Sequence, residues 1–139
     1  MRIMIDTNIL ISVAVFNSGS LGDVLDFIGQ YHTLVLSSYI LDELQEVVKR
    51  KFPSKRMSVD SFIMKLPFEV EYTPHNLPEH ELFKIRDVKD GPILYSAITS
   101  DVDILITGDA DFSDIEIERP EIMSPAEFYK RYIGVLPKG

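Results

Sequence analysis

Short apolar runs alternate along this chain with segments whose apolar residues recur at helical spacing, and few architectures satisfy that alternation. Residues 2–6, 33–37, 68–72 and 103–107 read as strands. The last of these, DILIT, is apolar at every internal position, as strands buried on both faces of a parallel sheet are. Between the strands, Leu21, Val24, Leu25 and Ile28 behind a Ser20 cap predict one helix. Ile40, Leu41, Leu44, Val47 and Val48 predict a second, ending near Pro53. Val59, Phe62, Ile63 and Leu66 predict a third, opened by Ser58 and closed by Pro67. Residues 73–92 are looser, with one short helical turn expected near 79–85, before a helix carrying Ile93, Leu94, Ala97 and Ile98. A weak strand is expected within 115–123. SPAEFYKRY then opens a last helix, with Ser124 as N-cap, Pro125 at the first helical position and Glu127 completing a capping box. Strands alternating with helices call for a central parallel sheet, right-handed crossovers and helices on both faces. No repeat, linker or low-complexity segment interrupts the pattern, so residues 1–139 are expected to form a single α/β domain.

Charge narrows the partners. The net charge of −8 argues against a general nucleic-acid coat protein, but it is unevenly spread. KRKFPSKR (49–56) holds five bases in eight residues, and DVDILITGDADFSDIEIERPE (101–121) holds eight acids against the single Arg119. One pole suits a polyanion and the other suits cations; both also read as solvated faces. The absence of cysteine excludes disulfides, thiolate metal sites and cysteine catalysis, and agrees with a cytoplasmic location. Neither a secretory leader nor a membrane-spanning segment is evident.

In open parallel sheets, ligands bind beyond the carboxyl ends of the strands, where strand order reverses. Asp6 follows the first strand directly, and Asp109, in ITGDAD, follows the strand 103–107. If those strands are neighbours, both carboxylates reach one crevice. Glu43 lies one turn into the helix after the second strand, and Asp90 stands just before the helix 91–100. Two carboxylates about 4 Å apart repel by roughly 4 kcal/mol at an effective dielectric near 20, so such a group calls for protons or a divalent cation. All-oxygen ligands suit Mg²⁺ or Mn²⁺. Each acid also has a plainer reading: Asp6 and Asp90 as helix caps, Glu43 as a solvated residue, Asp109 and Asp111 as turn-formers beside Gly108. The three histidines, His32, His75 and His80, share no ligand or triad spacing, and GSLG (19–22) lacks the spacing and ending of a P-loop.

The strand ending in DTNIL, the acid in SSYILDELQEV, the RDxxD before a helix and the strand ending in TGDxDF together resemble the PIN domain. The resemblance extends from Met4 to about Tyr129. It implies a three-layer α/β/α sandwich, Rossmann-like, around a mostly parallel sheet of about five strands, with the first and fourth strands adjacent. It further implies a Mg²⁺- or Mn²⁺-dependent ribonuclease. Asp6, Glu43, Asp90 and Asp109 match the family's catalytic, metal-binding acids, with Asp111 a fifth and Asn8 and Thr107 supporting polar residues. Asp90 is preferred to Asp87 because it abuts the following helix, although Gly91-Pro92 makes that junction unusual. Lys49, Arg50, Lys55 and Arg56 are the expected RNA contacts. Toxins of toxin–antitoxin pairs are among the family's larger groups and suit a short stand-alone domain; an antitoxin protein and a homodimer are the expected partners, beside the RNA substrate and without a membrane. The competing reading is a non-catalytic metal- or RNA-binding module acting through a protein partner. A phosphoacceptor domain ranks last, since no lysine follows Asp109 before Lys130.

Overall fold

In the computed structural model, which describes residues 1–73, 91–108 and 120–134, five strands make one sheet. They are β1 (Arg2–Ile5), β2 (Thr33–Ser37), β3 (Glu69–Glu71), β4 (Ile104–Ile106) and β5 (Glu121–Met123). Every neighbouring pair is parallel, in the order β3-β2-β1-β4-β5. Ile3 sits beside Leu34 on one side and Ile104 on the other. The first and fourth strands are therefore neighbours, and strand order reverses between them.

Successive side chains on a strand point to opposite faces, so a strand buried at consecutive positions is covered on both. Ile3, Met4 and Ile5 are all fully buried, as are Val35 and Leu36 in β2 and Leu105 and Ile106 in β4. That pattern makes the fold a three-layer α/β/α sandwich. The edge strands differ: β3 carries Glu69 and Glu71 toward solvent, and β5 begins with exposed Glu121. Charges on an edge discourage strand addition by another chain. Arg2 reaches from β1 to both β3 glutamates, 2.5 Å from Glu69 Oε2 and 3.2 Å from Glu71 Oε1, and this pairing holds its guanidinium pKa above the usual value.

Six helices are described. The first, α1 (Thr7–Ala14), begins directly after β1, with Asp6 as its N-cap. Its sequence is rich in β-branched residues and has modest helix propensity. Burial of Ile9, Leu10, Ile11 and Ala14 supplies the stability that propensity does not. Asn17 closes it with a positive φ of 53°, donating its N–H to the Val13 carbonyl. Helix α2 (Gly19–Tyr31) starts one residue before the expected Ser20 cap, with Ser18 at the N-cap position. Helix α3 (Ser38–Lys51) is capped by Ser37, whose Oγ accepts from the Ile40 N–H, and buries Ile40, Leu44 and Val48 one turn apart. Helix α4 (Arg56–Lys65) follows a 3₁₀ turn at Pro53–Lys55 and starts two residues before Ser58. Helix α5 (Gly91–Thr99) leads into β4. Helix α6 (Pro125–Phe128) has the expected capping box between Ser124 and Glu127, then continues as a π-helical turn over Tyr129–Ile133.

The expected turn near 79–85 lies outside the described residues, as do Asp87, Asp90, Asp109 and Asp111. The strand expected within 115–123 is described at its end, as β5. No single helix among the described residues is long and apolar enough to cross a membrane.

Candidate metal centre

Burying a polar group costs free energy unless it is paired, so where a core is polar is informative. Among the described residues the buried polar side chains are Asp6, Thr7, Ser37, Thr73, Ser96 and Thr107. Four of them mark the carboxyl ends of adjacent strands: Thr73 just past β3, Ser37 ending β2, Asp6 after β1 and Thr107 after β4. Thr7 adjoins Asp6 in the chain, and Ser96, on α5, pairs with Thr73 at 2.7 Å between hydroxyls. The polar part of the interior is thus one edge of the sheet, centred on the reversal of strand order.

Asp6 is the charged member of that set, and it is only 4% exposed. Its position is fixed three ways. The Asp6 N–H donates to the Ile106 carbonyl at 3.2 Å, extending the β1–β4 pairing by one step. Oδ1 accepts from the Ile9 N–H at 3.1 Å, making Asp6 the N-cap of α1. Oδ2 accepts a short hydrogen bond from the Thr107 hydroxyl. Both donors and the positive end of the α1 dipole favour negative charge there. Thr107 is held in turn by its own N–H, which donates to the Met123 carbonyl of β5 at 3.0 Å.

The capping role read from the sequence is therefore real, and it leaves the ligand role open. A carboxylate oxygen carries two lone-pair sites, so capping and ligation are compatible in one residue. Asp6 borders a cleft of about 290 Å³ lined also by Asn8, Ile9, Ser12, Leu21, Gly108 and Pro125. Its polar lining is entirely oxygen- and amide-bearing, which suits a hard cation such as Mg²⁺ or Mn²⁺ and gives nothing to a thiophilic one. Thr7 Oγ1, next to Asp6 in the chain, is buried without a hydrogen-bond partner among the described residues and does not line the cleft. Gly108, in the lining, directly precedes Asp109.

Of the residues singled out from the sequence, Asp6 and Asn8 line the cleft, and Thr107 holds Asp6 from behind. Glu43 is half-buried on α3, where its Oε2 accepts from the Tyr39 hydroxyl at 3.3 Å, and it is not part of that lining. No group of three acids or histidines is gathered among the described residues. Lys49, Arg50, Lys55 and Arg56 are all exposed, in the last turn of α3 and at the start of α4. A helix of this length spans about 20 Å, so these bases lie a helix length from the carboxyl edge where α3 begins. Sequence reasoning places Leu21 and Pro125 in helices but not at the site and does not single out Ser12; with Ile9 and Gly108 they complete the cleft. Ser12 lies one turn after Asn8, a spacing visible only once α1 is known to be a helix.

A parallel sheet whose order reverses between β1 and β4, with an acid fixed there, defines an open α/β protein with a candidate ligand site at that crevice. The chain belongs to the PIN-domain family, whose model matches residues 2–111. VapBC2 from Rickettsia felis, solved bound to a DNA fragment from their promoter, is similar in fold, with a TM-score of 0.67 at 21% identity over 88% of this chain and 97% of that one. VapC20 of Mycobacterium tuberculosis, a sarcin–ricin loop cleaving toxin, is similar with a TM-score of 0.55 at 11% identity, over 80% of this chain and 92% of that one. No match was found among curated proteins.

Proposed function

We propose that this chain is a metal-dependent endoribonuclease that hydrolyses phosphodiester bonds of single-stranded RNA and acts as the toxin of a toxin–antitoxin pair. The observation that carries the reading is Asp6: a buried carboxylate at the switch point of a PIN-domain sheet, fixed by two donors and bordering an open cleft. The fold likeness to VapBC2 and to the toxin VapC20 supports the toxin role and an antitoxin partner.

In this proposal Asp6, Glu43, Asp90 and Asp109, with Asp111, hold Mg²⁺ or Mn²⁺. A bound cation would supply an activated water for in-line attack and would stabilise charge developing on the phosphate. The chain's own residues do the rest. Thr107 fixes the rotamer of Asp6, so the carboxylate keeps one direction. Asn8 and Ser12 offer polar contacts to the substrate phosphate or to cation-bound water, and Ile9, Leu21 and Pro125 shield one wall of the cleft. Lys49, Arg50, Lys55 and Arg56 bind RNA phosphates further along the strand, which then follows α3.

The test is incubation of purified protein with labelled single-stranded RNA, with and without Mn²⁺, beside the Asp6→Asn variant. Mn²⁺-dependent internal cleavage that the variant lacks is expected. Wild-type activity in the variant would place the site elsewhere. Expression of the chain alone should arrest growth, and Asp6→Asn should lift the arrest.

A further inference from the structure

Next to the Asp6 cleft lies a second, larger hollow of about 520 Å³, between the first turns of α2 and α6. Ser20, Leu21, Val24, Ser124, Pro125, Ala126 and Tyr129 line it, and Leu21 and Pro125 belong to both hollows. The two hollows adjoin across Leu21 and Pro125, with Asp6 at the polar end and Tyr129 at the apolar end. The apolar end is not bare, however. Tyr129, 42% exposed as a residue, lies among its lining. Ser124 Oγ accepts from the Glu127 N–H and retains its own proton to donate, and the side chains of Ser20 and Tyr129 make no hydrogen bond among the described residues.

We infer that this hollow is a nucleobase subsite, taking one unpaired base of the RNA whose adjacent phosphate lies at Asp6. The inference rests on the ribonuclease reading. A flat, apolar body with polar edges is what the lining complements. Leu21, Val24 and Pro125 cover the faces of a ring, Tyr129 stacks on it, and the Ser20 and Ser124 hydroxyls meet its edge. Recognition of single-stranded RNA commonly takes this form, a splayed base stacked on an aromatic side chain and bonded along its edge. The shared wall of Leu21 and Pro125 sets the register: one strand places its phosphate in the Asp6 cleft and its neighbouring base in the adjoining hollow. An apolar side chain of a partner protein would use Leu21 and Val24 but would leave both hydroxyls and the tyrosine unused.

The experiment compares cleavage of one labelled oligoribonucleotide with copies made abasic at single positions flanking the cut, using wild type, Tyr129→Ala and Tyr129→Phe. One abasic position should lower wild-type kcat/KM by about 5- to 100-fold, the range expected for a stacked base. Tyr129→Ala should lower it similarly on the intact RNA and lose the distinction between intact and abasic, and Tyr129→Phe should restore most of the loss. Equal cleavage by Tyr129→Ala and wild type would overturn the subsite and hand the hollow to a protein partner, as would an equal loss on intact and abasic RNA. If wild type cleaves no RNA, the ribonuclease reading fails separately. Anisotropy of the same oligomers then decides the subsite: a Tyr129-dependent preference for the intact RNA upholds it, and no preference overturns it.

Discussion

Asp6 carries two roles that a single substitution can separate. As N-cap it satisfies the Ile9 N–H, and as acceptor it receives the Thr107 hydroxyl, both in the interior. Asn keeps one acceptor oxygen for Ile9, and its amide can donate to Thr107, so Asp6→Asn should lose under ~1 kcal/mol of stability while abolishing cleavage. Ala takes the acceptor away from both groups, and Asp6→Ala should lose about 2–4 kcal/mol, from the missing cap and the broken bond to a buried hydroxyl. Urea unfolding of the two variants checks this; equal losses would mean that Asp6 does not act as a cap in solution. Thr107→Val conserves shape and deletes the hydroxyl that donates to Oδ2. It should cost about 1–2 kcal/mol and slow cleavage by roughly tenfold, through a carboxylate no longer held to one rotamer. Unchanged kcat in Thr107→Val would remove its positioning role.

At the level of elements, the sequence is most legible where periodicity or capping is clear. Helix α3 shows the periodicity, with Ile40, Leu44 and Val48 along one face. The structure adds its cap, Ser37, which the sequence reads as the end of a strand. Ser124 with Glu127 announces α6 by its capping box. Helix α1 escapes a reading of the sequence for a physical reason. Thr7-Asn8 resembles a turn by residue type, and Ile9, Ile11 and Val13 resemble a strand, whereas the cap at Asp6 and burial against the sheet decide for helix. The same ambiguity conceals Ser12 on the Asn8 face of α1. The basic segment poses a question of its own. Lys49, Arg50 and Lys51 sit in the last turn of α3, where they complement the helix dipole whether or not RNA is present. Replacing Lys49, Arg50, Lys55 and Arg56 by Ala should therefore cost a few tenths of a kcal/mol per α3 residue. It should also flatten the salt dependence of RNA binding by roughly 0.7 for each phosphate no longer neutralised. A stability loss with an unchanged salt slope would leave these residues to the fold alone.

For the whole molecule, the parallel pairing follows from the alternation of periods, whereas the adjacency of the first and fourth strands is legible only through the resemblance to the PIN domain. What the sequence cannot rank is eight acids in one segment, because residue type says nothing of which carboxylate the backbone turns inward. A second global feature is also invisible in the sequence: the packing of both ends of the described chain on α2. His32, at the end of α2, lies between Phe27 and Tyr132 of the C-terminal π-helical turn, with ring centroids 5.4 and 6.5 Å away. Its Nδ1 stands 3.2 Å from the amino group of Met1. An ammonium can only donate, so in this contact Nδ1 is the acceptor, which favours the uncharged ring. Burial, and then the Met1 charge, lower the His32 pKa below its usual 6.5. The sign follows. Between the lowered folded value and 6.5 the unfolded chain binds a proton that the folded chain refuses, so stability falls as pH drops through that window and levels off below it. The effect belongs to His32, so the other titrating groups cancel when wild type is compared with His32→Gln. Urea midpoints from about pH 7.5 down to about pH 5.5 should decline more steeply for wild type than for the variant. Parallel declines would show that His32 titrates in the folded protein as it does in the unfolded chain, and that the contact with Met1 does not persist in solution.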